Sequence, residues 1–112
     1  MLNVNWKNLI DGELLTTSTA IYYTAPGQTK AAVKILTLTN TSGSQVSVNL
    51  YRVPRNAQPG AANLLGPFTL GPNSAPLFVL AACHVLEPGD SIQASCTANS
   101  AVSIMASGYE LT

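Results

Sequence analysis

The titratable residues that could do chemistry lie close together in one stretch, Cys83-His84 followed by Glu87 and Asp90. General acid–base catalysis needs such groups near a substrate, with a pKa tuned toward neutral pH. His84 is the single histidine, and a catalytic triad would require it to contact both a carboxylate and a nucleophile. Glu87 and Asp90 flank Pro88-Gly89, which is typical of a turn in which Asp90 bonds back to the backbone. We therefore interpret this stretch as structural and predict no enzyme activity.

Metal and phosphate sites are not predicted either. Adjacent Cys83 and His84 would point to opposite faces of a strand, and no second cluster completes a zinc ligand set. Cys96 stands apart from Cys83 without CxxC spacing, so we interpret both cysteines as small buried hydrophobic residues rather than a disulfide. The chain contains neither GxGxxG nor a Walker loop. The sequence thus predicts no metal and no cofactor.

Neutral polar side chains dominate the composition outside the apolar residues. Ser, Thr, Asn and Gln make up 34 of the 112 residues, whereas only 9% of the residues are charged. Burying a hydroxyl that finds a partner costs less than burying Lys or Glu, and protein interfaces are depleted of charge for that reason. The net charge of zero provides no long-range attraction for polyanions. These features favour protein–protein contact, and we expect no nucleic acid partner.

Membrane and secretion signals are also missing from the sequence. There is no apolar run of 18 residues, so we expect no membrane span. The first residues, MLNVNWKNLIDGE, lack the pattern of a secretory signal peptide. Asn40-Thr41-Ser42 matches a glycosylation sequon, but without a secretion signal we interpret it as a hairpin turn. The protein is expected to stay inside a cell or to leave it within an assembly.

Short segments of strand composition alternate with turn residues along the whole chain. Several have apolar residues at every second position, which indicates half-buried strands of an antiparallel sheet, and none shows helical spacing over three turns. The sequence predicts an all-β fold, an antiparallel β-sandwich of about seven to eight short strands, Ig-like or jelly-roll-like. The segments are residues 19–24, 31–39, 45–53, 64–70, 76–82, 91–97 and 101–111, with residues 11–16 as an eighth.

Four segments carry further expectations about their place in the sandwich. Segment 31–39 has large apolar residues on both faces, which predicts burial on both sides. Pro67 and Pro76 predict strand edges or strand starts because proline cannot donate to a ladder, and we expect residues 54–76 to cross between the sheets. Segments 91–97 and 101–109 contain no Lys or Arg, so either of them would need a covering neighbour if it lay at an edge.

Aromatic residues supply the candidates for partner docking. Residues 1–10 lack a strand period and are interpreted as an N-terminal arm before a single domain of residues 11–112. Trp6 in this arm either docks on a neighbouring molecule or folds back onto the sandwich. Tyr22 and Tyr23 are adjacent in a strand, so at most one faces the core and the other is a surface anchor. Trp6, Tyr22 and Tyr23 are therefore the docking candidates.

Several motifs together resemble a known protein family. The chain is similar to small β-sandwich virion proteins of tailed bacteriophages, in which an "LTTS…YYT.P.GT" element, an "LTNT" strand end and an "L.PGDSI.A" hairpin recur. The similarity covers roughly residues 14–111. The matching stretches here are LTTS at 15–18, AIYYTAPGQTK at 20–30, LTLTNT at 36–41 and VLEPGDSI at 85–92.

This resemblance implies a structural role in a virion that assembles in the cytoplasm of a bacterial host. A capsid decoration or cement protein is the expected role, with a homo-oligomer, commonly a trimer, bound to the major capsid protein or another virion protein. A tail, baseplate or fibre-attachment subunit is an alternative, as is a receptor- or glycan-binding module using the loops at 54–62 and 71–76. The family's motifs are structural, and no functional residue is carried over from it.

Overall fold

The computed structural model describes residues 3–72, 77–79 and 85–112. Within these ranges the fold is all-β, with two antiparallel sheets packed on each other and a single turn of 3-10 helix at Ala61–Asn63. No helix in the described ranges is long and apolar enough to cross a membrane. The strands are β1 (Val4–Leu14), β2 (Ala20–Thr24), β3 (Lys30–Asn40), β4 (Val46–Val53), β5 (Leu64–Leu70), β6 (Leu77–Val79), β7 (Val85–Leu86), β8 (Ser91–Cys96) and β9 (Val102–Leu111).

The predicted antiparallel β-sandwich is confirmed, with nine strands in the described residues. One sheet has the order β1-β9-β3-β6, with the short β7 also paired to β3, and the other has the order β2-β8-β4-β5. The predicted period-two strands β4, β8 and β9 lie inside their sheets and turn their alternate apolar residues to the core. The core residues of these strands are Val46, Val48, Leu50, Ile92, Ala94, Cys96, Val102, Ile104 and Ala106.

The N-terminal segment differs from the predicted arm. Residues 4–14 form one edge strand, β1, which pairs antiparallel with β9. Two register shifts interrupt the pairing with β9, so the adjacent residues Leu9 and Ile10 are both buried. For this reason the sequence of β1 does not show the alternation of apolar and polar residues that is typical of a strand. Gly12 has φ +114°, a backbone conformation that favours glycine, at the second shift. An irregular edge of this kind resists pairing with another strand.

A bulge also explains the two-faced pattern of β3. The register to β9 shifts between Val33 and Ile35, so the chain changes which positions face the core. Val33, Leu36 and Leu38 are therefore buried in the same core, and Ile35 is turned outward. The expectation of burial on both sides of this segment is not fulfilled at Ile35, which is 41% exposed.

Gly108 of β9 lies beside this bulge and allows the two strands to approach closely. A Cβ atom added to Gly108 would collide with the backbone carbonyl oxygen of Ala32. No side chain fits there without moving the backbone of β3. The bulge in one strand and the glycine in its neighbour thus form one structural unit.

Two expectations about residues 54–76 are confirmed. Pro67 lies in the edge strand β5, opposite Asn49 of β4. The stretch follows β4 of one sheet and precedes β6 of the other, so it connects the two sheets, and β5 within it still pairs with β4. Of the predicted strand at 76–82, residues 77–79 form β6, and 76 and 80–82 lie outside the described residues.

The two strands without Lys or Arg, β8 and β9, are both interior. β8 lies between β2 and β4, and β9 lies between β1 and β3. Their backbone groups are paired on both sides, so neither strand needs a covering neighbour. Neither strand therefore indicates a surface for self-association.

Candidate functional site

The Asp90 turn, residues Glu87–Asp90, is structural in the way that the sequence predicted. One carboxylate oxygen of Asp90 accepts the backbone N–H of Arg55 at 2.9 Å, and the other accepts that of Glu87 at 3.0 Å. Arg52 Nη2 stands 3.5 Å from the second oxygen. Gly89 has φ +91°, and an added Cβ would meet the Arg55 side chain at 2.8 Å. Asp90 is 5% exposed and its carboxylate is fully engaged, so it holds two loops together.

The other predicted chemical groups give no reactive arrangement in the described residues. Cys83 and His84 lie outside them, so the convergence of His84 with Glu87 and Asp90 is not described. Cys96 is buried and donates its thiol to the carbonyl of Ala98. No group of three or more His, Cys, Asp or Glu residues in the described ranges could hold a metal ion.

Asn40 has a different role from the predicted hairpin turn. It ends β3 in one sheet and the chain continues into β4 of the other, so the connection is a crossing between sheets and the hairpin interpretation is wrong. Asn40 is 1% exposed. Its amide nitrogen donates to the carbonyls of Ser44, Leu70 and Gly71, and its oxygen accepts from the backbone and hydroxyl of Ser42. The side chain joins three chain segments where the sheets meet.

Tyr22 and Tyr23 are both partly buried against the core. A register shift between Ile21 and Tyr23 breaks the alternation of β2, so the expectation of one exposed tyrosine is wrong, and Ile21 is the exposed residue. Tyr23 donates to Glu110 of the opposite sheet. Burial, and then the neighbouring Glu110 carboxylate, raise the pKa of Tyr23 well above its usual range. Both rings are partly buried, so each exposes less surface for docking than Trp6 does.

Trp6 is the docking candidate that the structure leaves uncovered. Its side chain lies on the face of the five-stranded sheet that is turned away from the second sheet and is 70% exposed. The only contact between aromatic rings that it makes in the described part of the chain is with Tyr109, edge to face, with ring centroids 4.9 Å apart. A large apolar ring without cover is the kind of residue that dominates interface energies when it is buried by a partner.

We call this side of the five-stranded sheet the outer face. Its register places residues of β1, β9 and β3 in adjacent rows, where hydroxyl and amide side chains alternate with large apolar ones. Met105 is 47% exposed at its centre, beside the exposed Ile35. The face includes Val4, Trp6, Asn8, Asp11, Leu14, Lys34, Ile35, Thr37, Thr39, Val85, Ser103, Met105, Ser107 and Tyr109.

Two shallow depressions adjoin on the outer face. Asn8 and Ser107 line both of them and are hydrogen-bonded to each other at 2.9 Å, which forms the ridge between them. Trp6 and Lys34 line the depression on one side of this ridge. The other, of about 160 Å³, is lined by residues that include Asp11, Ile35 and Met105. We call these the Trp6 depression and the Met105 depression.

Each depression has one charged residue that is unpaired within the described residues. The ion pairs found there are Lys7–Glu110, Lys30–Glu87 and Arg52–Asp90. Lys34 borders the Trp6 depression and Asp11 borders the Met105 depression, and no described residue pairs with either. The outer face therefore carries separate and opposite charges at the two sides of its ridge.

Of the residues on the outer face, only Trp6 was predicted from the sequence as a docking candidate. The alternation in β9 placed Met105 with Ser103 and Ser107, opposite the core residues, and that exposed methionine was an available signal. The contributions of Lys34 and Asp11 depend on bulges in β3 and β1, which the sequence pattern conceals.

In comparisons with known proteins, no family model, no curated protein and no solved structure matches the chain.

Proposed function

We propose that the protein is a structural component of a tailed-phage virion, and specifically a capsid decoration protein that adds contacts between shell subunits. The observation that carries this proposal is the outer face, where Trp6 and Met105 stand exposed among neutral polar residues. Such a surface loses little solvation energy on contact with protein. The motif resemblance to phage virion proteins supplies the virion setting.

The engagement of the Asp90 turn supports an assembly role over a catalytic one. Both oxygens of Asp90 accept hydrogen bonds from backbone donors, and one of them also faces Arg52. A general acid or base must instead reach its substrate. Among the described residues, the large apolar side chains that are exposed belong to the outer face, with the exception of Ile21 in the other sheet.

The mechanism follows from mass action. A protein that binds only the assembled shell stabilises that shell by about 2.7 kcal/mol when its free concentration is 100 times its dissociation constant. The proposed partners are further copies of this chain and the major capsid protein or another virion protein. A trimer is the oligomer implied by the resemblance.

The test is electron cryomicroscopy of virions of the phage that encodes this chain, compared with virions carrying Trp6→Ala. We expect density for the sandwich on the capsid surface in the wild type and reduced occupancy in the variant. Heads lacking the protein should rupture at a lower temperature than complete heads. Density confined to the tail would replace decoration with a tail or fibre-attachment role, and absence from virions would contradict the proposal.

Glycan binding is a second candidate because of one specific arrangement. Trp6 lies beside Asn8, Ser107 and Lys34, which combine an aromatic ring with amide, hydroxyl and amino groups. The loops at 54–62 and 71–76, which the sequence indicated for this function, contain no aromatic residue. A glycan array with wild type and Trp6→Ala decides the matter: Trp6-dependent binding would support a receptor role, and no binding would leave assembly as the function.

A further inference from the structure

We propose that Met105 is a modification site, at which oxidation of the thioether to a sulfoxide weakens the binding of the outer face to its partner in the virion. The co-reactant is a peroxide. This deepens the proposed function, on which it rests for the claim that the outer face is an assembly surface. Three observations carry the inference: the exposure of the sulfur, the seat of the side chain on β1, and the polar groups around it.

The sulfur of Met105 is open to solution. Met105 is 47% exposed, whereas Cys96 is 6% exposed and its thiol donates to the carbonyl of Ala98. Cys83 and Met1 lie outside the described residues. An oxidant that arrives from solution reacts more readily with an exposed sulfur than with a buried one. Among the described sulfur atoms, that of Met105 is therefore the first to react.

The backbone of β1 provides a seat for the Met105 side chain. Gly12 has no side chain, and Cγ and Sδ of Met105 lie 3.7 and 3.8 Å from the position that a Cβ would take there. The thioether therefore lies across this glycine, and it also lines the Met105 depression. Methionine has a flexible side chain that adapts to its surroundings. Contact with Gly12 places the sulfur at the surface that a partner covers.

The surroundings of the sulfur determine the effect of an added oxygen. The thioether is apolar, so a partner gains free energy by covering it. A sulfoxide oxygen is a polar acceptor that water solvates in the separated chain, and the same partner must remove that water. The Ser107 hydroxyl in the depression already donates to Asn8, and the Asp11 carboxylate there is itself an acceptor, so neither replaces the water. Oxidation therefore disfavours the covered state relative to the free one.

The oxidation is balanced by reduction of the peroxide. The sulfur lone pair attacks a peroxide oxygen, the O–O bond breaks and an S–O bond forms. The sulfur loses two electrons, and hydrogen peroxide is reduced to water. A methionine sulfoxide reductase reverses the change. In the reversal two thiols become a disulfide and the oxygen leaves as water, so the site is a reversible switch.

The experiment treats the purified chain with hydrogen peroxide and measures its binding to heads that lack it, by cosedimentation over a concentration series. Fragmentation mass spectrometry locates the added oxygen. We expect the oxygen at Met105 and a rise of about tenfold or more in the dissociation constant for heads. Treatment with methionine sulfoxide reductase should restore the original dissociation constant.

Met105→Leu is the matched control, because leucine keeps the apolar volume and has no sulfur. Any oxidation of Met1, Cys83 or Cys96 occurs in both proteins, so a loss of binding confined to the wild type belongs to Met105. Met105→Gln places a polar carbonyl near the position of the sulfoxide and should bind weakly without peroxide. Thermal unfolding of each form checks that the fold is kept, and either variant alone suffices if the other fails to fold.

Three results would overturn the inference: no oxygen at Met105, an oxidised wild type that binds heads as before, or the same loss of binding in oxidised Met105→Leu. Each of them leaves the proposed function intact as long as the untreated chain binds heads. An untreated wild type that does not bind heads would refute the proposed function, and the inference with it.

Discussion

The turn at Asp90 and the outer face at Trp6 differ in how their side chains are used by the fold. At the turn, two backbone donors and an arginine engage the buried carboxylate. On the outer face, Lys34 and Asp11 have no partner among the described residues, and Trp6 has only the edge contact with Tyr109. Groups that are fully engaged hold a fold together, whereas groups left without partners are free to bind another molecule. The comparison predicts that substitutions in the first set change stability and those in the second change association.

The largest effect is expected at Asn40, which resembles Asp90 in being buried and fully bonded. In Asn40→Asp a carboxylate would face the carbonyl oxygens of Ser44, Leu70 and Gly71, which the amide nitrogen now contacts. We expect the free energy of unfolding to fall by about 4 kcal/mol, measured by urea denaturation.

Asn49→Asp is the matched control, because Asn49 is exposed in the middle of β4. Its stability should stay within about 0.5 kcal/mol of the wild type. A similar loss in both variants would show that carboxylates are harmful anywhere on these strands and that burial of Asn40 is not the cause.

The second prediction compares two aspartates with the same substitution. Asp90→Asn replaces one acceptor oxygen by an NH₂ group facing a backbone N–H, so we expect a loss of about 2 kcal/mol in stability. Asp11→Asn should change stability by no more than about 0.5 kcal/mol, because the Asp11 carboxylate has no ion-pair partner among the described residues. The measurement is thermal unfolding of both variants. Equal stability of the two variants would remove the contrast between the regions.

Some elements of this fold could be predicted from the sequence and others could not. The period-two pattern predicted β4, β8 and β9, and the Pro88-Gly89 spacing predicted the Asp90 turn, because both depend on residues close together in the chain. The strand β1 and the outer face could not be predicted in the same way. Their residues are brought together by bulges, and by the close approach of Gly108 to Ala32, which become visible only when the strands are paired.

The third prediction concerns alkaline pH and the link between the sheets. The pKa of Tyr23 is raised above its ordinary value of 10.0 by burial and by Glu110, so the unfolded chain releases this proton first as pH rises. The stabilisation is complete below pH 10 and is lost as pH rises toward the folded-state pKa.

Tyr23→Phe removes this group and its hydrogen bond to Glu110. We expect the variant to be less stable at neutral pH by about 1 kcal/mol, and to lose less stability than the wild type between about pH 10 and pH 12. Urea denaturation at a series of pH values measures both. Parallel pH curves for the two proteins would contradict the assignment to Tyr23.

The smallest effect on stability is expected for Trp6→Ala. The side chain is exposed and loses only its edge contact with Tyr109, so unfolding of the separated chain should change by about 1 kcal/mol or less. Association through the outer face should be weakened, because the most exposed large apolar side chain of that face is removed. A large loss of stability in dilute solution would move Trp6 into the group of residues that hold the fold.

The most direct test of the central claim uses the intrinsic fluorescence of Trp6, which is the single tryptophan of the chain. Emission and acrylamide quenching are measured over a dilution series, beside the oligomer mass. If the outer face is the contact between copies, emission should shift to shorter wavelength and quenching should fall as chains pair. Emission of an exposed indole at every concentration, while the mass shows association, would contradict the account and place the contact on another surface.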